Sequence, residues 1–112
     1  EPHEVLALAE GIETALSVIV ATGLPSWSCI NAGGLERVTI PNHVKRVLIF
    51  ADKDRTGTGE RAASMLAQRL EALGVAVRVV AIQDEIPDGV DGIDFNDLLC
   101  RGGKDRIVSM LP

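Results

Sequence analysis

Aromatic residues are scarce in this sequence, which has two Phe, one Trp and no Tyr among 112 residues. The core must therefore be built from Val, Ile, Leu and Ala, a composition typical of parallel strands that helices cover on both faces. A chain of this length can bury one core but not two. We expect a single domain over residues 1–112 and, because the sequence begins with Glu1 rather than Met, a domain excised from a longer protein.

Cysteine, histidine and long apolar runs are also few. Cys29, Cys100, His3 and His43 are scattered and lack the spacing of zinc ligands. Isolated cysteines favour a reducing, cytoplasmic location. The longest apolar run, residues 15–24, is about half as long as a helix that spans a bilayer, and there is no signal peptide, so we expect no membrane partner.

Positive charge is in deficit, with 11 Lys and Arg residues against 16 Asp and Glu residues and a net charge of −5. Proteins that bind nucleic acid through their own surface are normally basic. If this chain acts on nucleic acid, we expect metal ions or another domain to supply the attraction.

The hydrophobic pattern predicts an α/β fold. Strands are predicted at residues 5–10, 46–52 and 75–82, and residues 26–34 are predicted as a strand that runs into a glycine turn. Helices are predicted at residues 11–25, 58–74 and 94–103. The connections are predicted as a helical or irregular segment at residues 35–44 and a polar loop at residues 83–93. This order implies a Rossmann-like, four-stranded and mainly parallel sheet with helices on both faces, for which we expect the strand order 2-1-3-4.

Two of the predicted helices differ in their apolar surface. The first, at residues 11–25, is apolar on nearly all sides and is predicted to be buried. The second, at residues 58–74, has one apolar stripe, formed by Ala62, Leu66, Leu70 and Leu73.

Acidic residues follow three of the four predicted strands. Glu10 ends the first strand, Asp52 and Asp54 follow the third, and Asp94 and Asp97 lie after the fourth. Ligands of parallel sheets collect at these carboxyl ends, and the order 2-1-3-4 places Glu10 opposite the Asp52–Asp54 pair. Like charges held this close need a cation or a proton between them. Carboxylate oxygens suit Mg²⁺, for which Mn²⁺ is a possible substitute.

Glycines and cations flank these acids. Gly11, Gly57 and Gly59 would let the backbone approach a ligand and expose amides at helix starts that attract phosphate. Lys53 and Arg55 would either add positive charge to the same rim or point into solvent.

Each of these features also has a purely structural interpretation. The Asp52–Asp54 pair fits a turn or a helix start, because Asp accepts backbone hydrogen bonds well. Asp94 with Asp97 fits a helix N-cap followed by an acid in the first turn. The glycine pair at residues 33–34 fits a plain turn.

Two segments together resemble a known family. "LALAEGIETALSV", residues 6–18, and "VLIFADKDRTGTG", residues 47–59, resemble the Toprim domain of primases, topoisomerases and related nucleases. Its signature, Glu-Gly after the first strand and Asp-x-Asp after the third, falls on Glu10-Gly11 and Asp52-Lys53-Asp54. With the closing "GIDFNDLL", the chain is similar to the Toprim-like domains of phage and plasmid-type primases, often joined to a helicase.

The resemblance implies roles for these residues. Glu10 would be a general acid/base or a metal ligand, Asp52 and Asp54 would hold Mg²⁺, and Asp94, with Asp97, would hold a second metal or support the first. Separately from the resemblance, the residues that flank these acids lead us to expect that Gly11, Lys53 and Gly57 line the bound cofactor. The implied reaction is nucleotidyl transfer that makes a short RNA primer on single-stranded DNA. Template, nucleotides and helicase would engage other domains of the parent protein, since no zinc ribbon, basic template track or Walker A motif is present.

Two other interpretations compete with this one. "DKDRT", residues 52–56, fits the opening motif of haloacid-dehalogenase-type phosphatases, with Asp52 as the nucleophile. That motif lies on the first strand of such enzymes, whereas two strands precede it here. The other alternative is a non-catalytic Toprim module that serves for docking or metal binding.

Overall fold

The computed structural model describes residues 4–112, so Glu1 and His3 lie outside the described part of the chain. The elements, in chain order, are β1 (Val5–Ala9), α1 (Ile12–Thr22), β2 (Ser26–Ser28), α2 (Ala32–Arg37), β3 (Arg46–Ala51), β4 (Lys53–Asp54), α3 (Thr58–Ala72), β5 (Ala76–Ala81), β6 (Gly92–Ile93) and α4 (Phe95–Val108). The four predicted strands correspond to β1, β2, β3 and β5.

These four strands form one parallel sheet in the order β2-β1-β3-β5. In the numbering of the predicted strands this is 2-1-3-4, so the predicted fold class and strand order are confirmed. Leu8 of β1 lies opposite Trp27 of β2 on one side and Ile49 of β3 on the other. Because β1 and β3 are neighbours, Glu10 and Asp52 leave the sheet at adjacent points of the same edge.

Helices cover both faces of the sheet because its central strands carry apolar side chains on both sides. On one face, Val47 and Ile49 of β3 pack in a core with residues of α2 and α3. On the other face, Leu48 and Phe50 pack in a core with residues of α1 and α4. The ring of Phe50 meets that of Phe95, the first residue of α4, edge to face at a centroid distance of 5.2 Å.

A second, two-stranded sheet was not predicted from the sequence. β4 pairs antiparallel with β6, so the segment predicted as a polar loop returns to the end of β3. The two backbones approach closely, since a Cβ on Gly92 would overlap the carbonyl oxygen of Lys53. This ladder fixes the start of α4 beside the residues that follow β3.

The prediction that the first helix is buried is wrong. α1 leaves Ile12, Leu16 and Val20 exposed, at 59%, 56% and 54% of their surface. A helix in the outer layer contacts the sheet through one side only, whatever its composition. Leu73, predicted on the apolar stripe of α3, is likewise exposed because that helix ends at Ala72. No helix within residues 4–112 has the length and apolar character needed to cross a membrane.

Two further boundaries differ from the predictions. β2 ends at Ser28, and the glycine pair at residues 33–34, interpreted above as a plain turn, lies in the first turn of α2. Asn31 caps this helix by accepting a hydrogen bond from the Gly34 amide at 2.8 Å. α4 continues past its predicted end at Gly103 and reaches Val108. Gly103 itself, at φ = 70°, interrupts the helical geometry.

Candidate functional site

Three acidic side chains leave the sheet at neighbouring strand ends. Glu10 follows β1, and Asp52 and Asp54 follow β3, which is paired with β1. The structure therefore places Glu10 near both aspartates, as the strand order predicted. The three carboxyl groups nevertheless have different surroundings, and these surroundings separate their pKa values.

Asp54 accepts hydrogen bonds from the start of α3. One carboxylate oxygen accepts from the Thr56 hydroxyl at 2.9 Å and from the Thr58 amide at 3.0 Å, and the other lies 3.4 Å from the Gly59 amide. Burial raises the pKa of Asp54, but the hydrogen bonds from Thr56, Gly59, Thr58 and Gly57 outweigh burial and lower the pKa. Asp54 is therefore ionised at neutral pH.

Glu10 and Asp54 converge on one point above Gly59. A Cβ at Gly59 would lie 3.5 Å from Glu10 Oε1, 3.7 Å from Asp54 Oδ2 and 3.1 Å from the Asp52 carbonyl oxygen. Because Gly59 has no side chain, the space between these oxygens stays open. Burial, and then the charge of Asp54, raises the pKa of Glu10. The pair therefore favours either a cation between the carboxylates or a proton on Glu10.

Asp52 is held from two helices. The hydroxyl of Thr14, a buried residue of α1, lies 2.8 Å and 3.0 Å from the two carboxylate oxygens, and the Phe95 amide at the start of α4 donates to Oδ1 at 3.2 Å. The pKa of Asp52 is raised to about 6, because burial and the charges of Asp94 and Glu10 together outweigh the hydrogen bonds from Thr14 and Phe95, which lower it. Asp52 thus combines a fixed orientation with a carboxyl group that ionises only near neutrality.

On the side of α4, acidic residues line an open cleft of about 220 Å³. Asp52, Asp54, Asp91, Asp94 and Asp97 all contribute to its wall. Asp94 accepts from the Asp97 amide at 2.8 Å and Asp97 from the Asp94 amide at 2.9 Å, which is a capping box. The structural interpretation of these two acids is thus observed, and a ligand role for Asp94 stays a prediction.

The two cations of the Asp-x-Asp segment point toward the loop that precedes β6. Lys53 Nζ donates to the Asp84 carbonyl oxygen at 2.6 Å. Arg55 donates to the carbonyl oxygens of Val90 and Pro87 at 2.8 Å and 2.7 Å. In this structure both side chains hold loop backbone in place, and a role for Lys53 at a bound ligand stays a prediction.

Two groups at this site were missed by the sequence analysis, the Thr14 hydroxyl and the Phe95 amide. Thr14 lies four residues after Glu10, and a polar residue on the inner side of an otherwise apolar helix is a signal that could have been used. The Phe95 amide had no comparable signal, because its position depends on the pairing of β4 with β6.

The comparison with protein families now bears on this geometry. The Toprim domain matches residues 5–105, which is most of the chain. The chain belongs to the Toprim family. Toprim domains are found in primases, topoisomerases and nucleases, and the domain implies metal-dependent chemistry on nucleic acid. A comparison with curated proteins found no match.

Toprim domains typically bind Mg²⁺, and the acids of this chain fit that ion as a pair. Within residues 4–112, no three His, Cys, Asp or Glu side chains are grouped so that they could hold a metal ion. Mg²⁺ needs only one or two protein carboxylates, because it keeps several waters and takes substrate phosphate oxygens. The open space that Glu10 and Asp54 share above Gly59 meets that requirement.

The same geometry gives no support to a phosphatase that uses Asp52 as its nucleophile. Both Asp52 oxygens receive a hydrogen bond from Thr14, and one also receives a hydrogen bond from Phe95. These contacts hold the carboxylate in one orientation, and two strands, β1 and β2, precede the motif here, whereas it lies on the first strand of such phosphatases. The family match points to Toprim chemistry instead.

Gly11 offers a test of backbone approach by a ligand. It precedes α1 at φ = −105°, and a Cβ built there meets nothing within 4 Å. We expect Gly11→Ala to lower the free energy of unfolding by about 1 kcal/mol, within the range for replacing a favoured N-cap residue by Ala. We also expect unchanged Mn²⁺ affinity but at least tenfold slower turnover on nucleic acid in the parent protein. Unchanged turnover would remove Gly11 from the ligand-binding residues.

Proposed function

We propose that this Toprim domain is the catalytic domain of a DNA primase, which joins ribonucleotides into a short primer in a Mg²⁺-dependent reaction. The observation that carries the proposal is the convergence of the Glu10 and Asp54 carboxylates on the open position above Gly59. At this position a carboxylate that can bind metal, Asp54, lies beside a carboxyl group that can exchange a proton, Glu10. Nucleotidyl transfer needs both.

Asp54 is the permanent anion of the proposed site. Hydrogen bonds from Thr56 and from the amides at the start of α3 keep it ionised and fix its direction. Asp54 would hold Mg²⁺ at the open position above Gly59, with Glu10 on the opposite side of that position. When bound, Mg²⁺ would orient the phosphate, offset its charge and activate the attacking hydroxyl.

Glu10 is the proposed proton acceptor. Burial and the charge of Asp54 raise its pKa, which brings a carboxyl group closer to the pH at which a general base works best. Its position two residues before the start of α1 keeps it at the rim of the site, where the attacking hydroxyl would lie.

Asp52 and Asp94 have supporting roles in this proposal. Asp52, fixed by Thr14 and Phe95, would place negative charge behind Asp54, and Asp94 would contribute to a second metal or to the outer shell. The acidic balance of the chain supports template and nucleotide binding by other domains of the parent protein, with a helicase domain or partner.

The decisive experiment gives the parent protein single-stranded DNA, ribonucleotides and Mg²⁺ and analyses the products by denaturing electrophoresis. We expect short RNA chains whose synthesis stops in EDTA. Cleaved DNA without RNA would replace the primase proposal with a nuclease or topoisomerase, and metal binding without any reaction would favour the non-catalytic module.

A crystal of the domain soaked in Mn²⁺ locates the ion by anomalous diffraction. We expect a peak between Glu10 and the Asp52–Asp54 segment. A peak bound by Asp52 and Asp94 without Glu10 would contradict the proposed role of Glu10.

A further inference from the structure

Two cavities away from the carboxylates follow the outer edge of β5. Each has a volume of about 310 Å³. One extends from Arg46 and Leu48 to Arg78, and the other extends from Arg78 to Gln83 and Arg106. Arg78 lines both, so the two cavities lie next to each other along β5, and together they are here called the β5 groove.

The backbone of β5 is open on the side of this groove. Within residues 4–112, β5 pairs with β3 alone, and the Ala76 amide donates toward β3, to the Lys45 carbonyl oxygen at 3.1 Å. Since alternate residues of a strand turn their amides to opposite sides, the amides of Val77, Val79 and Ala81 face the groove. They are donors available to a bound ligand.

The register of β3 and β5 places two arginines together on one face of the sheet. Arg46 lies opposite Ala76, and Arg78 lies opposite Leu48, so the two arginines are diagonal neighbours. Diagonal neighbours on one sheet face are about 7–8 Å apart, which lets two long side chains reach one anion or two adjacent anions. Both side chains are exposed.

The side chains of these two arginines are not engaged by other groups of the described chain, unlike the cations beside the groove and the carboxylates. Within the described residues, neither Arg46 nor Arg78 donates a side-chain hydrogen bond or forms an ion pair, whereas Arg106 is paired with Asp84. A guanidinium group has five donors and matches the oxygens of a phosphate group. On a chain with a net charge of −5, two adjacent unpaired arginines are a distinct positive surface.

We propose that the β5 groove binds the backbone phosphates of a single nucleic-acid strand. Arg46 and Arg78 contact the phosphates, and the apolar wall, which includes Leu48 and Val77, contacts sugars and bases. No aromatic side chain lines the groove, so it offers no stacking platform, and binding is independent of sequence and sensitive to salt. The groove ends at Gln83, beside the loop that leads to the acidic cleft. A strand that lies in it therefore points toward the carboxylates.

The choice of nucleic acid as the ligand rests on the proposed function, but its test does not require catalysis. The probe is a fluorescently labelled oligothymidylate of about 12 nucleotides, within the site sizes known for single-strand binding. Its anisotropy is followed as the chain is added in EDTA, at several salt concentrations. The Arg46→Gln/Arg78→Gln variant is compared with Arg37→Gln/Arg101→Gln, a control with the same net charge and with exposed arginines outside the groove.

We expect the Arg46→Gln/Arg78→Gln variant to bind the oligonucleotide at least tenfold more weakly at low salt. The slope of log K against log salt should fall by about 1.4, which corresponds to two phosphate contacts on a single strand. The control variant should retain most of the affinity, and thermal unfolding should show that both variants are folded. Equal losses in both variants, or no binding by the unmodified chain, would overturn the proposal. Tighter binding to phosphatidylserine vesicles than to the oligonucleotide would also overturn it, in favour of a lipid surface.

The proposed function fails in a different way. If the parent protein makes no primer but the groove variant still loses oligonucleotide affinity, the groove assignment holds and the primase assignment does not. If the unmodified protein makes primer and the groove variant keeps its oligonucleotide affinity, the primase assignment holds and the groove assignment does not.

Discussion

In the primer-synthesis assay that tests the proposed function, Asp54→Asn is expected to lower product formation by more than about 100-fold, beyond the range found when outer-shell partners of a metal are removed. Asp54 is the one acid of the Asp-x-Asp segment whose pKa is lowered, so it carries a full charge at neutral pH. Asn keeps an oxygen that can accept from Thr58 but removes that charge. The Mn²⁺ affinity of the domain, measured by calorimetry, should fall together with synthesis.

The fold should survive this substitution. Asn keeps an amide oxygen that can accept from the Thr56 hydroxyl and the Thr58 amide, so we expect the free energy of unfolding to fall by about 1 kcal/mol, the net contribution of one hydrogen bond. Asp91→Asn is the matched control, because Asp91 lines the same acidic cleft and the substitution changes the net charge equally. If both variants lose synthesis to the same degree, the effect is one of overall cleft charge and Asp54 has no specific role as a ligand.

The strand-end acids could be predicted because two simple regularities agree at Glu10, Asp52 and Asp54. Continuous apolar runs identify parallel strands that are buried on both faces, and parallel strands present their carboxyl ends at one edge. Adjacency of β1 and β3 then follows from the expected strand order. The proximity of Glu10 to the Asp-x-Asp segment could therefore be predicted without knowledge of the coordinates.

The surroundings of these acids could not be predicted in the same way. β4 and β6 are two residues long, too short for an alternating pattern, yet their pairing brings the Phe95 amide to Asp52. The difference between the pKa of Asp52 and that of Asp54 arises from these local donors and from burial. The spacing in the sequence gives no reason to expect different pKa values for the two aspartates, whereas their surroundings in the structure differ.

The β5 groove shows a second limit. Arg46 and Arg78 are 32 positions apart, and whether they share a face depends on the register of β3 against β5. A shift of one residue would move one of them to the opposite face. Net charge led to the expectation that metal ions or another domain supply the attraction for nucleic acid, and net charge averages over such local pairs.

Asp52→Asn is expected to make the metal-free domain more stable at pH 8, although it removes a predicted ligand. The folded-state pKa of Asp52 is about 6, against 3.8 for an ordinary Asp. The folded chain therefore holds this proton more tightly than the unfolded chain does. Between pH 4 and pH 6 the stability contributed by Asp52 falls as pH rises, by about 3 kcal/mol for a shift of this size.

Asn cannot ionise, so the variant escapes this loss while its amide oxygen can still accept from Thr14 and Phe95. The measurement is the free energy of unfolding from urea titrations of both proteins in EDTA at several pH values. The difference between the two proteins reports Asp52 together with its coupling to Glu10 and Asp94, because acids that do not interact with Asp52 titrate equally in each. We expect the variant's advantage to grow from pH 4 to pH 6 and to stay constant above that.

Metal should reverse the order of stability. Saturating Mn²⁺ stabilises only a protein that binds it, so the unmodified domain should be stabilised more by the ion than the Asp52→Asn variant is.

Thr14→Val, which removes the hydroxyl but keeps the shape, would raise the pKa of Asp52 further and widen the pH range of the effect. If the free energy of unfolding of the Asp52→Asn variant and that of the unmodified domain depend on pH in the same way, Asp52 is not a buried acid with a raised pKa. If they differ in pH dependence but respond equally to Mn²⁺, the cost of burying Asp52 serves some purpose other than holding the metal.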